Sequence, residues 1–174
     1  MPEVRYQKTT LSRSGAQVAI AAAFRTRFAR EATRNELAML LAQSEHETAS
    51  WQRMPNFNFG GVKAFKKWAE NPANSFVLLL TTEGSGAEAK RVRQPFRAFG
   101  SAVEGAFDWL AALAHGWPSA LVKAGRGDVA EYVRCLVKEG VKGAYFTGSR
   151  DEYAAILQRN FARWHAELPA EVSK

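Results

Sequence analysis

The sequence predicts an α+β fold that is mainly helical and carries one small β-hairpin. Three segments start with Ser or Thr followed three residues later by Glu, at Thr33, Ser101 and Ser149, and this capping-box pattern is typical of helix starts. The apolar run 76–80 continues through a glycine-bearing turn into the alternating segment 90–99, which predicts a hairpin. With 174 residues, the chain can bury a core without disulfides.

In chain order, residues 1–12 are polar and aperiodic, and we expect a loose N-terminal arm. A single domain is predicted at residues 13–168, followed by a tail at 169–174. Helices are expected at residues 14–30, 34–51, 63–70, 101–114, directly after Trp117-Pro118, 128–139 and 149–167.

Composition limits the classes of function. The formal net charge of +7 and the pI near 9.8 favour a polyanionic partner such as nucleic acid, an anionic membrane surface or a cell-wall polymer, although basic charge also serves solubility alone. One cysteine and three scattered histidines leave no basis for a disulfide framework or a metal site, and we expect no cofactor. No apolar run reaches the ~18 residues that span a bilayer, so no membrane insertion is expected.

The N-terminal run 16–24 follows basic residues and loosely resembles a signal peptide. It is alanine-rich, lacks leucine and continues into further arginines. We interpret it as the first helix of the domain.

Glu47 is the first candidate acid. At roughly 100° per residue, Glu47 falls about 60° from the centre of the apolar face of its helix, while Glu45 falls about 100° away on the other side and His46 points nearly opposite. Desolvation at the border of a core raises a carboxyl pKa, as a general acid requires. The alternative is a solvated glutamate on the helix rim.

Glu83 is the second candidate, because it ends the first hairpin strand and precedes Gly84-Ser85-Gly86. A carboxylate there could act as base or charge stabiliser opposite an acid. Acids in turns are, however, usually solvated.

The segment after the Glu47 helix combines aromatic, glycine and basic residues. We interpret Trp51 and Phe65 as core residues, and Phe57 and Phe59 as walls of a cleft on which sugar rings stack. Gly60-Gly61 would let a ligand approach the backbone, Asn58 could offer its amide to an acetamido group, and Lys63 begins a basic cluster. No phosphate loop, dinucleotide motif or HExxH motif is present.

Four motifs, taken together and in order, resemble the family 73 glycoside hydrolases, which are peptidoglycan glucosaminidases with a lysozyme-like fold. The matching segments are Leu41–Thr48, Asn58–Ala64, Thr81–Glu83 with Val92–Phe99, and Ala144–Thr147 with Tyr153. The resemblance implies Glu47 as catalytic acid, Glu83 as second carboxylate and Tyr145 as a catalytic or positioning residue. Together with the residue types of the loop, it leads us to expect a substrate-binding role for Asn58, Phe57, Phe59, Gly61, Lys63 and Tyr153. Glu45, His46 and Ala144 depart from the family pattern.

The resulting hypothesis is a monomeric endo-β-N-acetylglucosaminidase that cleaves glycan strands of peptidoglycan at the bacterial cell wall, without binding nucleic acid. Because no convincing signal peptide is found, we expect a phage-borne enzyme or export by another route. A muramidase or lytic transglycosylase on the same fold remains an alternative, as does a non-catalytic module that binds cell wall or nucleic acid.

Overall fold

Six α-helices and two small antiparallel sheets make up the part of the chain described by the computed structural model, namely residues 2–65, 68, 70–83, 90–138, 144–146 and 148–170. The helices are α1 (Arg13–Phe28), α2 (Arg34–Glu47), α3 (Ala102–Gly116), α4 (Pro118–Gly125), α5 (Val129–Lys138) and α6 (Arg150–Glu167). The prediction of a mainly helical α+β fold is therefore confirmed. The helix expected at 63–70 falls partly outside the described residues. Within the described ranges, no helix is long and apolar enough to cross a membrane.

The predicted hairpin is present. Strands β3 (Ser75–Glu83) and β4 (Lys90–Ala98) pair antiparallel along their whole length, from Ser75 opposite Ala98 to Glu83 opposite Lys90. The loop after α2 holds the hairpin near its base, since Ala64 N donates to Pro95 O at 2.8 Å and Arg97 N donates to Val62 O at 3.0 Å. The base of the hairpin is thus fixed to the segment that follows Glu47.

The N-terminal segment differs from the loose arm that we expected. Strand β1 (Lys8–Thr9) pairs with β2 (Met54–Pro55), and Val4 N donates to Phe76 O at 2.8 Å. The Thr9 side chain is buried and its Oγ1 donates to Met54 O at 2.9 Å. Buried backbone N–H and C=O groups need hydrogen-bond partners. The N-terminal segment provides such partners to strand β2 and to strand β3.

Helix α2 is the central element of the core. Its N-terminus has the predicted capping box, in which Thr33 and Glu36 each accept from the backbone amide of the other. Residues 38–44 are buried without interruption, whereas a surface helix would expose one side. Neighbouring helices therefore enclose α2, with α6, α1 and α4 all packed against it.

The end of α2 comes earlier than predicted, at Glu47 rather than at Trp51. Thr48 Oγ1 donates to Ser44 O at 2.6 Å and accepts from Trp51 N at 3.0 Å, so its side chain competes with the helical pattern. The next three residues, Ala49 to Trp51, have φ of 49°, 56° and 57°. The chain therefore turns away sharply just after Glu47, while the Trp51 indole stays fully buried.

Candidate active site

Glu47 stands at the C-terminal end of α2 against the first turn of α6. Tyr153 donates a hydrogen bond from its hydroxyl to Glu47 Oε1 at 2.7 Å, and the Tyr153 ring is buried. Although Glu47 presents surface to solvent, protein surrounds its carboxyl on most sides, and this desolvation raises its pKa. The hydrogen bond from Tyr153 and the charge of protonated His46 oppose that rise in pKa. The net effect is a raised pKa for Glu47, which is the direction that the sequence led us to expect.

Tyr145 lies near this carboxyl. Its hydroxyl accepts a hydrogen bond from Trp109 Nε1 at 2.9 Å, and its ring meets Trp117 edge-on with centroids 5.0 Å apart. Burial, followed by the negative charge of Glu47, raises the pKa of Tyr145 well above its ordinary value. The phenol is therefore neutral near pH 7 and can donate its proton in a hydrogen bond.

Two side chains to which the sequence assigned no role, those of Gln43 and Tyr132, lie in the core close to Glu47. The Tyr132 hydroxyl of α5 donates to Gln43 Oε1 of α2, and both residues are fully buried. The pKa of Tyr132 is raised by burial and, to a smaller extent, by the charge of Glu47. Gln43 precedes Glu47 by four residues and could have been found from helical spacing, but nothing in the sequence indicated Tyr132.

Aromatic contacts fix the ring of Tyr153. Phe146 stacks on it with centroids 3.9 Å apart and planes 4° apart, and His46 meets it edge-on at 5.1 Å. His46, one of the residues at which this sequence departs from the pattern that it resembles, therefore places an ionisable ring beside both Glu47 and Tyr153.

Glu45 is a structural residue of the core. Helical phase predicted that Glu47 would be more buried than Glu45, and this prediction was wrong. Glu45 is 8% exposed, whereas Glu47 is the more exposed residue. Helical phase missed this because α6 covers the side of α2 that carries Glu45. There the Glu45 carboxylate pairs with Arg163 and accepts from Trp164 Nε1 at 3.0 Å, so it is held away from any general-acid role.

Asn58 shapes its own loop instead of presenting an amide to a ligand. The residue is 2% exposed, its Nδ2 donates to Val62 O and Arg97 O at 3.0 Å each, and its Oδ1 accepts from Val62 N at 2.8 Å. These bonds use both amide hydrogens. The expected contact with an acetamido group is therefore replaced by a link between the loop and strand β4.

The aromatic residues of this loop are distributed differently from our expectation. Phe59 is fully buried and stacks on Trp109 at 6.3 Å, so it belongs to the core, while Phe65 is 51% exposed and does not. Trp51 is a core residue as predicted. Phe57 is half-buried and remains a candidate for the cleft wall.

The two adjacent glycines have distinct positions. A Cβ on Gly60 would lie 2.3 Å from Trp109 Cδ1 and 2.8 Å from the Tyr145 hydroxyl oxygen, so Gly60 is packed against the site. Gly61 has φ of +58° and open space around it, which leaves its backbone accessible to a ligand. Lys63 follows, half-buried, in a bridge to Phe96 of β4.

The second predicted carboxylate is placed only through its backbone. Glu83 is the last residue of β3 and pairs with Lys90, while its side chain and residues 84–89 lie outside the described part of the chain. It lies six positions beyond Val77, so it stands roughly 20 Å along the strand from the anchored base of the hairpin.

The described residues contain no group of three or more His, Cys, Asp or Glu side chains that could hold a metal ion. The site brings together one protonatable carboxyl with a raised pKa and three phenols, all lying near the end of one helix. A carboxylic acid of this kind can donate a proton to a leaving oxygen, and neutral phenols can orient a substrate or water.

The architecture is that of the lysozyme-like fold. It is similar to the glycoside hydrolase domain of FlgJ from Salmonella typhimurium, with a TM-score of 0.59 and 21% identity over 89% of this chain and 96% of that one. It is also similar to a peptidoglycan hydrolase mutant from Sphingomonas sp. A1, with a TM-score of 0.55 and 24% identity over 83% of this chain and 92% of that one.

The catalytic domain of the autolysin Auto from Listeria monocytogenes gives a TM-score of 0.59 and 19% identity over 87% of this chain and 81% of that one. No family model and no curated protein sequence matches the chain. At these identities the likeness establishes the fold, and the chemistry has to be argued from the site.

Proposed function

We propose that this chain is a peptidoglycan hydrolase, an endo-β-N-acetylglucosaminidase in which Glu47 protonates the glycosidic oxygen of a β-1,4 bond. The observation that carries the proposal is Glu47, a solvent-exposed residue whose carboxyl has a raised pKa and is oriented by Tyr153. The fold agrees, since the similar structures are named glycoside hydrolase, peptidoglycan hydrolase and autolysin.

Other residues have supporting roles in this proposal. Tyr145 positions the attacking water or the substrate's acetamido group, and Tyr153 holds the acid. Glu83 assists water attack once the hairpin closes on the substrate. Phe57, Gly61 and Lys63 contact the glycan, and the basic surface favours the acidic groups of the wall. Action at the bacterial cell wall follows from this role, and we propose that the chain acts there as a monomer.

The test is mass spectrometry of the fragments released from purified sacculi. Reducing ends on N-acetylglucosamine support the proposal, whereas reducing ends on N-acetylmuramic acid contradict the choice of bond. Anhydro-sugar products together with full activity of Glu83→Gln would indicate a lytic transglycosylase. Absence of digestion by the folded wild type would refute the enzymatic proposal.

A matched pair of variants isolates the acid. Glu47→Gln should lower the rate of digestion about 10²-fold or more, because general acid catalysis contributes at least that much. Glu45→Gln makes the same chemical change two residues earlier, in the pair with Arg163, and its folded fraction should keep the catalytic rate. Equal losses in both variants would contradict the assignment of Glu47.

A further inference from the structure

The side-chain amide of Gln43 contains a buried donor without a partner. Gln43 is 0% exposed, and its Oε1 accepts the hydrogen bond from Tyr132. Among the described residues, its Nε2 has no hydrogen-bond partner. A buried polar group left unpaired costs stability, so such a group in a native core calls for an explanation.

Tyr132 determines which way this amide points. By donating to Oε1, the phenol holds the carbonyl end of the amide toward α5 and leaves the NH₂ end facing elsewhere. Tyr132 itself feels the charge of Glu47. The amide is thereby held by a phenol that lies within electrostatic range of the acid.

Helix geometry brings Gln43 and Glu47 together. Residues four apart in a helix are surface neighbours, and side chains lean toward the N-terminus of their helix, so Glu47 covers the turn that holds Gln43. Tyr153 donates to Oε1 of Glu47, and Oε2 carries no hydrogen bond from the described residues. The buried, unpaired donor of Gln43 therefore lies one turn from a carboxyl oxygen that has no hydrogen bond from the described residues.

We propose that Gln43 is a positioning residue that donates its unpaired N–H to the carboxylate of Glu47 after Glu47 has transferred its proton. This inference rests on the proposed role of Glu47 as general acid. While the carboxyl is protonated, as a general acid must be, the Gln43 amide has no partner for its Nε2 among the described residues. Once the proton has moved to the leaving oxygen, the carboxylate receives N–H from Gln43 on one oxygen and O–H from Tyr153 on the other.

The experiment measures the titration of the Glu47 carboxyl by carbon-13 NMR in the full chain, with the signal identified by its loss in Glu47→Gln. The ionisable groups that face this carboxyl are His46 on α2, Tyr153 on α6, Tyr132 on α5 and Tyr145. The variant Gln43→Leu substitutes none of these groups, and leucine has a side-chain volume similar to that of glutamine.

Loss of a hydrogen bond to the ionised form favours the protonated form. Gln43→Leu should therefore strengthen proton binding by Glu47 about tenfold or more, and the high-pH limb of the activity profile should move up in pH. Tyr132→Phe keeps the ring but releases the amide, so it should shift the titration in the same direction by a smaller amount. Together these shifts would support the proposal.

Ser44→Ala serves as the control, because the Ser44 hydroxyl is bonded to Leu41 O and to the Trp51 indole. It should lower the melting temperature without moving the titration. If the titration of the Glu47 carboxyl is unchanged in Gln43→Leu, the proposal is wrong. If Gln43→Leu does not fold, an unchanged titration in Tyr132→Phe contradicts the proposal instead. Because the carboxyl signal is read without substrate, inactivity of the wild type on sacculi would count against the proposed function separately.

Discussion

Gly60 is a position where a very small change should disturb the site. It lies between the fully buried Trp109 and the hydroxyl of Tyr145, and a single added methyl group would stand 2.3 Å from Trp109 Cδ1, 2.7 Å from Trp109 Nε1 and 2.8 Å from the Tyr145 hydroxyl oxygen. Ordinary contact with a Cβ begins at 3.4 Å. In Gly60→Ala, either the loop or the indole must therefore move by about 1 Å.

The indole has little freedom to yield. Trp109 stacks on Phe59 and donates to Tyr145 at 2.9 Å, so displacing it disturbs both contacts. Overpacking of this kind costs about 1–3 kcal/mol, which corresponds to a fall in melting temperature of about 2–12 °C for a chain of this size. Because Tyr145 moves with its partner, we expect digestion of sacculi to fall more than the loss of folded protein explains.

Urea unfolding gives the change in stability, and the initial rate of sacculus digestion per folded molecule gives the change in activity. Gly116→Ala is the matched control, since Gly116 ends the same helix as Trp109 and an added Cβ there meets nothing within 4 Å. It should change stability by less than about 1 kcal/mol. If Gly60→Ala is as stable and active as Gly116→Ala, the packing argument for Tyr145 is wrong.

Three further predictions follow from single contacts. Tyr153→Phe removes a hydrogen bond that lowers the pKa of Glu47, so that pKa should rise and the high-pH limb of the activity profile should move up; an unchanged limb would contradict it. Asn58→Ala removes the three loop hydrogen bonds of that side chain and should cost about 2–4 kcal/mol in chemical denaturation. Glu45→Gln weakens the partly buried pair with Arg163 and should lower stability by about 1–3 kcal/mol, whereas stability equal to that of the wild type would show that the pair contributes nothing.

Local patterns predicted the elements of this fold well. Capping residues at Thr33, Ser101 and Ser149 do begin α2, α3 and α6, because a cap bonds backbone groups within three residues of itself. The hairpin followed from alternation and a turn, which are equally local. The predicted end of α2 was wrong because the Thr48 side chain forms hydrogen bonds with backbone groups before and after it in the chain. The spacing of apolar residues does not reveal such bonds.

The site depended on contacts between distant parts of the chain. Gln43 and Tyr132 meet across 89 positions, and Glu47 meets Tyr153 across 106. Helical phase describes one helix alone, so it ranked Glu45 as less buried than Glu47 without knowing that α6 would cover Glu45. Composition likewise indicated an aromatic loop, but only packing separates the buried Phe59 from the exposed Phe65.

The position of Glu47 as the last residue of α2 has a consequence for its proton. The carbonyl groups at the C-terminal end of a helix carry a partial negative charge equivalent to about half an electron. A carboxylate formed there faces that field, so the peptide dipoles of α2 add to desolvation in holding the proton. His46, in the same last turn, provides an opposing charge only while it is protonated. The backbone of one central helix therefore favours the acid form of Glu47.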